Sequence, residues 1–145
     1  MKKLDTLVIP SDPGKLIVVD SFTERITGQL GFSRDKRDDI AISVSEAAIN
    51  AIMHGNGGDR NKTVTFKFLS TVKGLRIEVT DQGVGFEAEK VPDPTREENL
   101  LIPYGRGLLI IRHLMDEVKI KVGKTGTKIV MTKFFESPIT GLPHE

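Results

Sequence analysis

Glu46, Asn50 and His54 follow one another at i, i+4 and i+8, with Ser43 just before them. At roughly 100° per residue, that spacing stacks a carboxylate, a carboxamide and an imidazole within one wedge of a helix. Ile40, Val44, Ala47 and Ala51 lie on another side, and Ile42, Ile49 and Ile52 carry the apolar surface around the back. The helix is therefore expected to be largely buried, and polar groups on a buried helix need partners. Two kinds of partner stay open: an internal hydrogen-bond network, or a magnesium nucleotide, for which an amide oxygen and a carboxylate are suitable hard ligands. Further along, Asp81-x-Gly83-x-Gly85 places a carboxylate before two spaced glycines. Such a carboxylate can accept from an amine while the glycines let backbone approach a flat ring; alone, the pattern is also that of an ordinary Asp-Gly turn.

Two further glycine patterns fail as nucleotide motifs. Gly123-Lys124-Thr125 has Val118 where a phosphate-binding loop needs glycine, and a strand follows it instead of a helix. Gly105-x-Gly107 has Ile110 at the third glycine position of a dinucleotide fingerprint, and a loop precedes it instead of a strand.

The elements that must position these residues are legible in the chain. Residues 4–9 read as a strand ended by Pro10, and Ser11 with Pro13 offers a cap and a first-turn proline for a helix running to about Leu30. Gly31 stops that helix, Ser33 opens a second one through His54, and Asn56-Gly57-Gly58 closes it. Residues 63–69 and 75–80 form a hairpin turned at Lys73-Gly74, which leaves Asp81 at a strand end. Residues 86–104 carry three prolines without a clear period, a length that fits a functional, lid-like loop. An amphipathic segment opening at Gly105-Arg106-Gly107 and two strands around a turn at Gly123–Gly126 complete the order, and the tail from Ser137 is expected to fray. Strands clustered in hairpins predict one α+β domain over residues 1–145: a two-layer sandwich with helices on one face of a mixed, mostly antiparallel sheet.

Composition narrows the function classes. There is no cysteine, so disulfides and thiolate metal sites are excluded, and His54, His113 and His144 lack metal-ligand spacing. Twenty-one Lys and Arg stand against twenty Asp and Glu without long single-sign blocks, which argues against a nucleic-acid binder. No signal peptide or membrane-spanning run is visible, so a soluble, cytoplasmic protein is expected.

Together the motifs resemble those of the GHKL (Bergerat) superfamily of ATP-binding domains. Glu46-Ala-Ala-Ile-Asn50-Ala-Ile-Met-His54-Gly-Asn is similar to its N box, and Asp81-Gln-Gly83-Val-Gly85-Phe to its first glycine box. Gly105-Arg106-Gly107-Leu108 resembles its second glycine box and Gly126-Thr127 its late threonine motif. The resemblance implies ATP and magnesium as cofactors. Asp81 would accept from the adenine amino group, Thr127 would support that contact, and Gly83 and Gly85 would keep the backbone close. Asn50 would hold magnesium, with His54 and Leu108 among the nucleotide-binding positions. Gly105 and Gly107 would present N–H groups to phosphate at a helix start, and Glu46 would take the proton of the attacking hydroxyl. Arg106 reads either as a phosphate clamp or as a solvated surface arginine.

Within the superfamily, the run from Gly105 to Val118 looks most like the anti-sigma-factor serine/threonine kinases. That resemblance implies a homodimeric kinase that phosphorylates a serine on a STAS-domain anti-anti-sigma partner and can sequester a sigma factor. A nucleotide-gated binding module and a slow ATPase are the alternatives, separable by whether phosphate reaches a protein serine, water or nothing.

Overall fold

The computed structural model describes residues 1–83 and 106–136. The chain opens with β1 (Lys2–Pro10) and a single 3-10 turn at Pro13–Lys15, then forms α1 (Leu16–Gln29) and α2 (Arg34–Ile49). α2 continues into a π-helical turn, Asn50–Gly55, before β2 (Thr63–Ser70) and β3 (Gly74–Thr80). α3 (Arg106–Leu114), β4 (Glu117–Gly123) and β5 (Gly126–Phe134) follow. Gly85, Gly105, the loop at 86–104 and the tail from 137 lie outside the described residues.

The strands make one sheet in the order β1-β2-β3-β5-β4, and every neighbouring pair in it is antiparallel. The α+β sandwich expected from the hairpin pattern is present, in the wholly antiparallel form. β2 shows how the sequence dictates it: Val64, Phe66 and Phe68 are buried while Lys67 between them is exposed, the period of two that puts alternate side chains on opposite faces. Those residues join Ile77, Val79, Ile129 and Met131 from the sheet, and Val19, Ile40, Val44 and Ile111 from the helices, in one core. The opposite face carries charge, with Glu78 held by Arg76 at 2.9 Å and Lys128 at 3.6 Å.

Three local expectations change. The turn before α1 is capped by Asp12, whose Oδ1 accepts from Gly14 N at 2.9 Å, because Ser11 is fully buried and donates to Lys62 O instead. Ser33 does cap α2, its Oγ accepting from Lys36 N. α2 buries less of its circumference than expected: Ile42 is 46% exposed, since no element covers that edge among the described residues. Finally, the helix does not keep α pitch to His54. Asn56 N bonds Ala51 O at 2.8 Å, an i to i+5 step, so the turn widens after Asn50 and His54 no longer stacks over it as α spacing would have it.

Lys133 is a charge on the inward register of β5, in line with Thr127, Ile129 and Met131. Its Nζ donates to Asp39 Oδ2 on α2 at 3.1 Å and to Leu114 O at the end of α3, so one ammonium ties β5 to both helices. Lys133→Met keeps the apolar stem but leaves Leu114 O and Asp39 without that donor. It is expected to lower stability by about 1 to 3 kcal/mol, read as a lower urea midpoint with an unchanged slope.

Candidate functional site

The end of β3, the start of β5, the π turn and the start of α3 converge. Asp81 is the first residue after β3 and is 4% exposed. Its main chain extends the sheet by one bond, Asp81 N donating to Thr127 O at 3.0 Å. Its Oδ1 accepts from Thr127 N at 2.9 Å and from Gly83 N at 3.1 Å. Thr127 thus supports Asp81 through its backbone. Burial pushes the Asp81 carboxyl above its ordinary value, against the pull of those two N–H groups and of Lys62.

The other oxygen, Oδ2, faces the end of the π turn. A β-carbon on Gly55 would lie 2.0 Å from Asp81 Oδ2, and one on Gly83 would lie 1.9 Å from Gly55 O. Only glycine at both places lets the helix end and the strand-end turn touch. A cleft of about 520 Å³ opens beside Asp81 where the β4–β5 hairpin begins to turn.

The second half of the site is built on α2 and α3. Gly107 sits so close to α2 that a β-carbon there would lie 3.0 Å from both Glu46 Oε1 and Asn50 Nδ2. Asn50 is 3% exposed, and among the described residues its Nδ2 has no hydrogen-bond partner, nor has Ser43 Oγ on the same stripe of α2. Buried polar groups are rarely left so, because each forfeits its solvation without return. A carboxamide can turn either its oxygen or its amine to one point, so Asn50 fits a ligand that carries a cation and anionic oxygens. Among the described residues no group of three His, Cys, Asp or Glu could hold a metal ion. A divalent ion here would take its remaining ligands from phosphate and water.

The remaining expected residues fall around these two halves. Arg106 is exposed at the first position of α3, and Leu108 is fully buried. The amide groups at the α3 start carry the positive end of the helix dipole toward Glu46 and Asn50. His54 lies exposed in the π turn. Sequence reasoning gave Asn56 no role, placing it only at the helix stop and at the end of the N-box resemblance; it is 3% exposed and hydrogen-bonds residues of three other segments. Its sequence signals are its place at the end of that run and directly before Gly57-Gly58.

Known proteins resemble this chain over most of its length. The family profile described as histidine kinase-like ATPase domain matches residues 9–133. The serine-protein kinase RsbW of Listeria monocytogenes serovar 1/2a is 30% identical over 135 residues, covering 89% of this chain and 85% of the relative. That of Bacillus subtilis strain 168 is 27% identical over 132 residues, covering 87% and 82%. Among solved structures, the RsbU and RsbW domains of Rv1364c from Mycobacterium tuberculosis superpose with a TM-score of 0.68 at 19% identity. That match covers 93% of this chain but only 34% of the longer one. The histidine kinase domain from Erythrobacter litoralis EL346 superposes at 0.56 with 22% identity, covering 88% of this chain and 62% of that one. No helix among the described residues is long and apolar enough to cross a membrane. The chain belongs to the histidine kinase-like ATPase domain family, the GHKL type that its four motifs resemble.

Proposed function

We propose that the chain is an ATP-dependent serine/threonine protein kinase of anti-sigma-factor type, which phosphorylates a serine on a STAS-domain anti-anti-sigma partner. The observation that carries this reading is the buried Asn50 Nδ2, which has no hydrogen-bond partner among the described residues and lies beside Gly107 at the start of α3, next to Glu46. The names of the relatives, serine-protein kinases, support the choice of acceptor. Anti-sigma action, a sigma factor and a second copy of the chain as partners, and a cytoplasmic setting belong to the same reading.

Bound Mg-ATP supplies the phosphoryl group and the cation that spreads its charge. The protein's part is positioning and electrostatics. Asp81 would accept from the amine of the base, Gly55 and Gly83 let the π turn close against the turn after β3, and Asn50 would hold the cation. The α3 amide groups meet phosphate oxygens, with Arg106 available as a clamp. Glu46, one helical turn before Asn50, takes the proton of the serine hydroxyl as that oxygen bonds phosphorus and ADP departs.

The test is γ-labelled ATP with magnesium, the wild-type chain and its STAS-domain partner, followed by phosphoamino-acid analysis. Phosphoserine on the partner is expected. Free phosphate without labelled protein would make the chain an ATPase, and tight nucleotide binding without either product would make it a binding module.

A further inference from the structure

β2 and β3 pair with Thr65 opposite Thr80, so that register would set Val64 against Asp81 and then Thr63 against Gln82. The two backbones do not close that pair. Gln82 N donates instead to Asn56 Oδ1 at 2.7 Å, and Asn56 Nδ2 donates to Thr63 O at 3.0 Å. Gln82 completes the exchange with its side chain, Oε1 accepting from Thr63 N at 2.7 Å. The Asn56 carboxamide is therefore a peptide-like spacer inserted in the ladder. It satisfies the groups a ladder would satisfy while holding residue 82 away from β2.

Nδ2 also donates to Ser11 Oγ at 2.7 Å, and Ser11 Oγ donates to Lys62 O at 2.8 Å. The orientation of the amide is fixed, because Gln82 N requires its oxygen and Thr63 O requires its amine. Asn56 follows directly on Gly55, which touches Asp81 Oδ2, and Gln82 follows directly on Asp81. The spacer thus joins the two backbone segments that enclose the buried carboxylate.

We propose that Asn56 is a positioning residue for base recognition, its carboxamide holding the Asp81–Gly83 turn against Gly55 and so setting how well the site separates adenine from guanine. This rests on the nucleotide reading above. Adenine offers an amine donor where guanine offers a carbonyl acceptor, so a fixed carboxylate attracts one and repels the other. A carboxylate free to shift does both less well.

The experiment measures ADP and GDP affinities and melting temperatures for the wild-type chain and three variants. Asn56→Asp preserves the acceptor for Gln82 N but sets an oxygen against Thr63 O. It is expected to narrow the ADP-to-GDP affinity ratio roughly 10-fold. Ser11→Ala deletes only the hydroxyl partner, so it remains folded if Asn56→Asp does not, and is expected to narrow the ratio roughly 3-fold. Val64→Ala opens a cavity in β2 without touching the spacer, and is expected to melt earlier with the wild-type ratio intact. A wild-type ratio in Ser11→Ala and in folded Asn56→Asp, or an equal narrowing in Val64→Ala, would overturn the proposal while leaving the nucleotide reading in place. A wild-type chain that binds no adenine nucleotide would overturn both.

Discussion

Asp81→Asn is expected to lose roughly 10-fold to 150-fold in ADP affinity while its melting temperature at neutral pH stays level or rises. The two effects part because the carboxylate serves ligand and fold differently. For the ligand it is an ionised acceptor, and an amide is a weaker one. For the fold it is a buried charge whose carboxyl is raised above its ordinary value by desolvation, the Thr127 and Gly83 N–H groups offsetting only part of that cost. An acid with a raised folded-state value binds its proton more tightly when folded. Its contribution to stability is full below the ordinary value of 3.8 and is lost as pH climbs through the raised value. Asparagine keeps an oxygen for both N–H groups and never pays that charge penalty. The same sign predicts that wild-type ADP affinity falls as the solution is acidified toward the raised value and Asp81 protonates. Calorimetric titration across pH, with thermal melts of both proteins, checks each half. A variant that melts well below wild type would refute the electrostatic account of this carboxylate.

The second large effect belongs to Glu46. Glu46→Gln keeps the shape beside Gly107 and Asn50 but removes the charge that takes the proton. It is expected to bind Mg-ATP as wild type does and to lose about 10²-fold to 10⁴-fold in phosphoserine formation, the usual contribution of a positioned base. Asn50→Ala is expected to lose magnesium-dependent binding as well. Single-turnover transfer, measured with nucleotide saturating, separates the two roles. Wild-type transfer by Glu46→Gln would withdraw the base assignment.

Much of this site is written in residue type and spacing. Glu46 and Asn50 are legible because a buried α2 has to account for its polar stripe, and Asp81 because a carboxylate before spaced glycines marks the end of β3. The hairpins follow from period-two alternation, as at Val64, Phe66 and Phe68. Lys133 obeys that same alternation and was within reach of it: the register that turns Ile129 and Met131 inward turns Lys133 inward too. What the chain does not announce depends on contacts between segments distant in sequence. Nothing in Asn50–Gly55 signals a change of pitch, since the apolar pattern continues through Ile52; the wider turn ends where Gly55 packs on Asp81, a contact between distant segments. Ser11 reads as a cap by type, yet Lys62 and Asn56 claim its hydroxyl and Asp12 caps in its place. Asn56 itself looks like punctuation before two glycines, because its partners at Thr63 and Gln82 come near it only once β2 and β3 have paired.

The central claim is that one nucleotide spans the two halves of the site, from Asp81 to the pair formed by Glu46 and Asn50. Amide-resolved NMR during titration with Mg-ADP tests it most directly. Saturable shifts are predicted together at Asn50, Gly55, Asp81, Gly83, Gly107 and Thr127, with Lys67 and Lys119 on the open sheet face unmoved. Shifts that saturate on the open face, or that reach only one half of the site, would contradict the account.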